Sequence, residues 1–429
     1  MYRNPDYTLC DLAGVSYLLP QGQAVADLRR GIRLNETGVL IWELLGELHD
    51  MEDLILSLLD HFEIPADSAE ASTVRQDLTE YLTQLQDYGV ITGIDPRPNL
   101  SGSSSEDAPG SKAQSEEASP CFASLENASH LPARDYRIGG LWVRIQCDPA
   151  LLSHELMDFQ IEEKEAGHAD CYDKATLAEP ALTLTIQEGA RLTPAGGRYL
   201  LRNPELCVYE TKEAYLLFFP RAKGLHSGRI TGDGRKALLL YEREGVDASD
   251  LIYYIFHGIR HCYLYRARFY GRYALHSASL LYRDKVYLFS GRSGTGKSTH
   301  TNLWHELFQV PVINGDLNLM AQIDGKPMVL GIPWCGTSEI YDPKDYPLGA
   351  ITFLKQAKED GQLPLSESEG MLMLYQRLVT SLWNEDMLRS AISYVTELSS
   401  SIPVYYYGCK PCPSAAYGMR DLIDADITQ

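Results

Sequence analysis

The chain has 429 residues, 45% of them hydrophobic and 22% charged, which is the composition of a multidomain globular protein and not of a disordered or fibrous one. Its 58 acidic residues against 38 basic ones give a formal charge of -20, which argues against nucleic acid and anionic membrane surfaces as main partners. No apolar run is long enough to span a membrane, the start Met1-Tyr2-Arg3-Asn4-Pro5-Asp6 lacks the core of a secretory signal, and the nine scattered cysteines fit reduced thiols, so a cytoplasmic location is expected.

The first 95 residues predict a small domain. Residues 8–12 and 15–19 are short apolar runs about Ala13-Gly14, and 27–34 is a third candidate strand. Three helices are expected next. The first follows Asn35, a good N-cap, and sets Val39, Ile41, Trp42, Leu44 and Leu45 largely on one side. The second covers 51–62, and the third covers 72–88 and stops at Gly89 before Val90-Ile91. Three strands and three helices make a winged-helix-like outline, but the third helix carries Arg75, Asp77, Glu80 and Gln84 instead of a basic face, which argues against DNA binding. The segment LNETGVLIWELL at 34–45, then a helix, then a helix ending DYGVI at 87–91, resembles PqqD-like domains, which recognise the leader segments of ribosomally made precursor peptides. That resemblance, over 5–93, implies a precursor-peptide partner added as a strand along 29–34 and lying against 74–88, a case of β-augmentation. A packing or dimerisation module, and with it a homo-oligomer, is the alternative.

Residues 101–120 read SGSSSEDAPGSKAQSEEASP, without an aromatic or branched aliphatic residue; such a stretch cannot bury enough surface to offset its ordering entropy, and a linker over 96–120 is expected. Beyond it, 121–245 predicts a β-rich lobe with strands at 142–145, 181–186 and 215–219, and 249–266 predicts a helix. His257 and His261 have metal-ligand spacing on that helix, but no carboxylate accompanies them, so they are taken as structural.

The chemistry is concentrated in 246–429. Gly291-Arg292-Ser293-Gly294-Thr295-Gly296-Lys297-Ser298 is a G-x-x-x-x-G-K-S loop in its required setting: the buried-strand pattern KVYLFS before it, a helix over 299–308 after it, and a carboxylate beyond the next strand, Asp316. The glycines let backbone N–H groups converge on phosphate oxygens, and the helix N-terminus adds its dipole. Lys297 adds a point charge, and the Ser298 hydroxyl is placed for Mg²⁺. The nucleotide set is Gly291, Ser293, Gly294, Thr295, Gly296, Lys297, Ser298 and Thr299, with ATP and Mg²⁺ as expected cofactors. Asp316 either completes the Mg²⁺ shell with Ser298 or accepts the proton of an attacking hydroxyl; the sequence does not separate these roles.

Residues 273–282 form another apolar run, and a turn at Arg283-Asp284 would fold it back on the loop strand and set His276 beside the phosphate loop. There it either contacts phosphate and shuttles a proton or is a satisfied core imidazole. Asp324-Gly325 predicts a second hairpin between 317–323 and 326–332, so the sheet is expected to be mixed. Trp334 and Gly336 in the following loop shape either a pocket or the core. Cys409-Lys410-Pro411-Cys412 is taken as a turn near the C-terminus, and helices over 368–382 and 385–398 carry Arg377 and Arg389, which either reach phosphates or are ordinary surface arginines, the second being the expectation.

The block from His276 through GRSGTGKST to INGD and GIPWCGT resembles the catalytic domain of HPr kinase/phosphorylase and, more distantly, the phosphoenolpyruvate carboxykinase type of P-loop. It implies an α/β P-loop domain with a mixed sheet, with Lys297 on phosphates, Ser298 and Asp316 in Mg²⁺ or base roles, and His276 on the strand before the loop. Thr299 stands where the family commonly has Glu, and Gly315-Asp316 stands for paired aspartates, so a phosphorylase reaction is not expected; the family's signature for docking its carrier protein is not evident, so HPr itself is not expected as substrate. An α+β multidomain kinase that phosphorylates a captured precursor peptide at a Ser/Thr-type hydroxyl is the leading expectation. A nucleotide-switched peptide escort and a nucleotidyl transferase are the alternatives.

Overall fold

In the computed structural model, which describes residues 1–93, 131–161, 179–292 and 294–428, the chain divides into two units, Met1–Ala123 and Ser124–Gln429. The linker expected at 96–120 and loop residue Ser293 lie outside the described residues.

The first unit contains β1 (Tyr2–Arg3), β2 (Tyr7–Leu12), β3 (Val15–Pro20), α1 (Gly22–Ala26), β4 (Ile32–Arg33), α2 (Glu36–Leu44), α3 (Met51–His61), α4 (Ala69–Asp87) and β5 (Ile91–Thr92). Ala13 and Gly14 both adopt positive φ, 50° and 77°, and turn β2 tightly onto β3. β4 pairs with β3 through Leu18↔Ile32 and Tyr17↔Arg33 and completes the three-stranded sheet. The third strand is shorter than expected, because α1 and a turn at Leu28, φ 58°, use up most of the chain before it. The sequence reading also lacked the β1–β5 pair, whose two-residue strands show no period. Asn35, Asp50 and Ser68 cap α2, α3 and α4 by accepting backbone N–H bonds from Gly38, Glu52 and Ala71, each cap contributing about 1 kcal/mol. The helices then bury Trp42, Leu54, Leu58, Leu78, Leu82 and Leu85 in one core with Leu18.

The second unit holds two sheets with a buried helix, α5 (Ala248–Ala267), between them in sequence. The first sheet is the β-rich lobe: β6 (Ala133–Ile138), β7 (Leu141–Gln146), β8 (Leu182–Glu188), β9 (Arg198–Arg202), β10 (Cys207–Glu210), β11 (Ala214–Phe218), β12 (Leu225–Thr231) and β13 (Lys236–Tyr241). Their order is 6-7-8-13-12-11-10-9, with β8 parallel to both neighbours and the other pairs antiparallel. Gly258 lets α5 approach this sheet, since a Cβ there would stand 2.8 Å from Leu225 and 3.0 Å from Leu239.

The second sheet is mixed, as expected. It contains β14 (Tyr273–Tyr282), β15 (Lys285–Ser290), β16 (Val312–Asn314), β17 (Leu317–Ile323), β18 (Lys326–Leu330), β19 (Tyr346–Gln356), β20 (Gly361–Gln362), β21 (Leu378–Val379) and β22 (Val404–Cys409). The helices are α6 (Lys297–Phe308), α7 (Glu367–Tyr375), α8 (Glu385–Ser401) and α9 (Pro413–Thr428). Arg283 and Asp284, with φ 49° and 60°, close the two-residue β14–β15 turn, and the register Tyr282↔Lys285 to Ser277↔Ser290 is the one the turn position predicts. β15 and β22 both run parallel to β19. β14 changes partner along its length, pairing with β17 at 273–276 and with β15 at 277–282. The helix expected over 368–382 ends at Tyr375, because residues 378–379 peel off to pair with β14 as β21. β19 and α9 were not foreseen; α9 buries Ala415, Ala416, Met419 and Ile423 against Trp304 and Phe289.

Candidate phosphate-binding site

β15 delivers the chain to the loop at Gly291, where a Cβ would meet Thr295 Oγ1 at 2.6 Å and the Leu354 carbonyl at 3.0 Å. Gly294 and Gly296 are glycines for a different reason. Their φ values of 78° and 98° are left-handed, and the space beside them is open. Gln356 at the end of β19 donates to the Gly294 carbonyl at 2.8 Å, and Thr295 Oγ1 donates to the Arg292 carbonyl at 2.8 Å, so the loop is anchored at both ends. α6 starts at Lys297, directly after Gly296, which leaves its first N–H groups without helical partners at the loop. Lys297 Nζ folds back to the Gly291 carbonyl at 3.3 Å, while Ser298 and Thr299 are exposed on the first turn. An open cradle of backbone, one ammonium and one hydroxyl fits a polyphosphate with its Mg²⁺.

Asp316 stands between β16 and β17. Asn314 Oδ1 accepts from the Asp316 and Leu317 backbone N–H groups at 3.0 and 3.1 Å, and Asn314 Nδ2 donates to the Trp334 carbonyl at 3.1 Å. This buried amide clamps the Asp316 turn to the loop at 334–336. His276 Nδ1 lies 3.3 Å from Asp316 Oδ1, so the partner change in β14 brings together the histidine and carboxylate singled out in the sequence. Burial pulls the His276 pKa below its ordinary value, the positive charges of Lys297 and Arg377 add to this, and Asp316 opposes it. A neutral imidazole beside a carboxylate can relay a proton from a hydroxyl.

Two glycines shape the carboxylate's surroundings. A Cβ on Gly336, φ 62°, would stand 2.6 Å from the Asp316 Cγ. A Cβ on Gly315 would collide with the Ser338 side chain, so the place where the resemblance calls for a second aspartate is filled from the other side. Asp316 is therefore the one carboxylate that this turn can carry.

Of the two readings of Arg377, a phosphate-reaching residue or an ordinary surface arginine, the structure favours the first. The early end of α7 sets its backbone carbonyl on the His276 N–H at 3.0 Å, and its charge depresses the pKa of Lys297, second to burial, and that of His276. It belongs to the positive cluster at the loop. Nothing local in the sequence marks it, since its place depends on the pairing of β21 with a strand a hundred residues earlier. Arg389 instead pairs with Glu385 on the exposed face of α8 at 2.5 Å.

Two cavities border the site. One, of about 130 Å³, lies between the loop residues Gly294, Thr295 and Gly296 and the turn Cys409-Lys410-Pro411. The other, of about 260 Å³, is lined by α5 and by Trp334, Cys335 and Gly336. Trp334 is itself core, fully buried with its Nε1 donating to the Phe256 carbonyl at 3.1 Å, and its edge forms the cavity wall. His261 packs against Phe219, and burial pushes its pKa down to about 3. Among the described residues no cluster of three His, Cys, Asp or Glu side chains could hold a metal, and no helix is long and apolar enough to cross a membrane.

In the first unit, β4 has no second neighbour among the described residues. Arg29, Arg30 and Arg33 are exposed along this edge, and the Arg29 guanidinium lies beside Gly89 at the end of α4. Leu28, 86% exposed, and Tyr88, 58% exposed, add apolar surface to this unit.

No curated protein matches the chain. The structure of the Hpr(Ser) kinase/phosphatase from Coxiella burnetii aligns with 36% of this chain and 94% of its own at 11% identity and a TM-score of 0.22, a likeness too slight to fix fold or activity. Residues 22–91 match the family model described as coenzyme PQQ synthesis protein D (PqqD), and they form the PqqD domain of this chain.

Proposed function

We propose that the chain is an ATP- and Mg²⁺-dependent kinase that phosphorylates a hydroxyl of a ribosomally made precursor peptide. The observation that carries the reading is the pairing, at 3.3 Å, of His276 with Asp316 beside a complete phosphate loop. ATP, when bound, supplies the transferable phosphoryl group. The chain's own residues do the rest. Backbone N–H groups at 294–298 and Lys297 would hold and neutralise phosphate oxygens, and Ser298 and Asp316 would hold Mg²⁺. Asp316 orients the acceptor hydroxyl, and His276 takes up its proton through the carboxylate. Arg377 offsets negative charge that develops at the loop. The PqqD domain points to a part in peptide modification, and the outer edge of β4, which has no second neighbour among the described residues, fits a leader segment bound as an added strand.

The test is the intact mass of a precursor peptide incubated with the full chain, ATP and Mg²⁺. A gain of about 80 Da that Lys297→Ala abolishes is the expected result. A nucleotidyl increment would replace the kinase reading by adenylation. Tight leader binding with no mass change would replace it by an escort.

A further inference from the structure

We infer that the cavity between α5 and the loop at 334–336 is the acceptor pocket, and that it selects a hydroxyl whose immediate neighbour carries a carboxylate. This rests on the kinase reading and specifies its substrate. The cavity, of about 260 Å³, takes one or two small side chains, and its walls include Glu155, Tyr253, His257, Arg260 and Gly336. Gly336 abuts the Asp316 carboxyl, as its missing Cβ would stand 2.6 Å from Cγ, so one end of the cavity opens where an acceptor hydroxyl must lie.

The other wall holds an underused cation. The Arg260 side chain is 17% exposed, and its ion pair with Glu205 is long at 3.6 Å and reaches a carboxylate that is 72% exposed. Arg260 Nε and the neighbouring His257 Nδ1 are buried without a hydrogen-bond partner among the described residues. Burial lowers the pKa of Arg260, while Glu205 and Asp316 raise it, which places Asp316 within electrostatic reach. The same helix face thus offers a desolvated guanidinium and an unpaired imidazole nitrogen to whatever enters. Glu155, the negative group of the wall, is occupied by the Ser153 hydroxyl and by His154 at 3.3 Å. A guanidinium left this poorly paired is costly, and an incoming carboxylate, which matches its fork geometry, completes it. Selection of this kind is strong because the wrong ligand leaves buried donors unpaired.

Calorimetry on the full chain tests the pocket independently of catalysis, with the hexapeptides Gly-Gly-Ser-Asp-Gly-Gly and Gly-Gly-Ser-Asn-Gly-Gly, and with Gly-Gly-Gly-Ser as free acid and as amide. One carboxylate peptide of either pair is expected to bind about tenfold or more tighter than its amide, and the pair that discriminates shows whether the group is a side chain or a chain end. Arg260→Gln should erase the difference and Arg260→Lys should keep part of it. Equal binding within both pairs, no binding at all, or a preference that survives Arg260→Gln would overturn the inference. If Arg260→Gln does not fold, the wild-type discrimination and Arg260→Lys decide. Phosphorylation is read in parallel: preference without phosphate transfer sinks the kinase reading and leaves the pocket standing, and transfer without preference does the reverse.

Discussion

Gly336→Ala tests the site where its geometry is tightest. The new Cβ would begin 2.6 Å from the Asp316 Cγ, whereas carbon atoms rest at about 3.5–4.0 Å, so the carboxylate must retreat by about 1 Å. His276 and Asp316 are now 3.3 Å apart, and a retreat of that size breaks or distorts their contact. Alanine at the left-handed φ of 62° costs roughly a further 1–2 kcal/mol of stability. A displacement of about 1 Å in a reacting group lowers transfer about a hundredfold, close to 2.7 kcal/mol of barrier. Single-turnover phosphotransfer and titration with ATP in the absence of Mg²⁺ separate the effects, because the phosphate loop is untouched and the affinity for metal-free ATP should change less than about twofold. A variant that melts normally and transfers phosphate at the wild-type rate would refute the role assigned to Asp316.

Because burial, Lys297 and Arg377 hold the His276 pKa below 6.5, its neutral form persists through neutrality, and kcat/KM should fall only as pH drops below that value; His276→Gln should remove this acid limb from the pH profile. His300 accepts a hydrogen bond from Trp304 Nε1 at 3.1 Å in the core, and burial pushes its pKa down to about 4 from 6.5. The unfolded chain takes up that proton first, so stability is retained above pH 6.5 and falls by about 3 kcal/mol toward pH 4, a loss that His300→Gln should lessen in acid melts. Leu28 combines 86% exposure with a φ of 58°; Leu28→Gly should stabilise the free PqqD domain by about 1 kcal/mol and weaken leader binding, and unchanged binding would remove Leu28 from the peptide surface.

The sequence carried the site further than it carried the folds around it. A two-residue turn at Arg283-Asp284 sets the hairpin register, and that register alone puts His276 at the phosphate loop. The glycine spacing and Asp316 were legible for the same reason, since each depends on contacts a few residues away. Arg377 was undervalued because a distant strand pairing places it. The segment 27–34 was read as one strand, although apolar residues there alternate too briefly to separate a helical turn and an αL residue from a two-residue strand. Arg260 gave no signal at all, because its burial depends on how α5 meets the loop at 334–336.

The hairpin at Arg283-Asp284 has a bearing on how this chain can change over time. Surface turns ordinarily accept an inserted or deleted residue, yet side chains alternate faces along β14, so one extra residue accommodated by a register slip would turn His276 away from Asp316. An exposed turn far from His276 is in this sense expected to tolerate a length change no better than a residue of the candidate site tolerates substitution. Drift among descendants of this chain should therefore show point changes at 283–284 and almost no insertions or deletions.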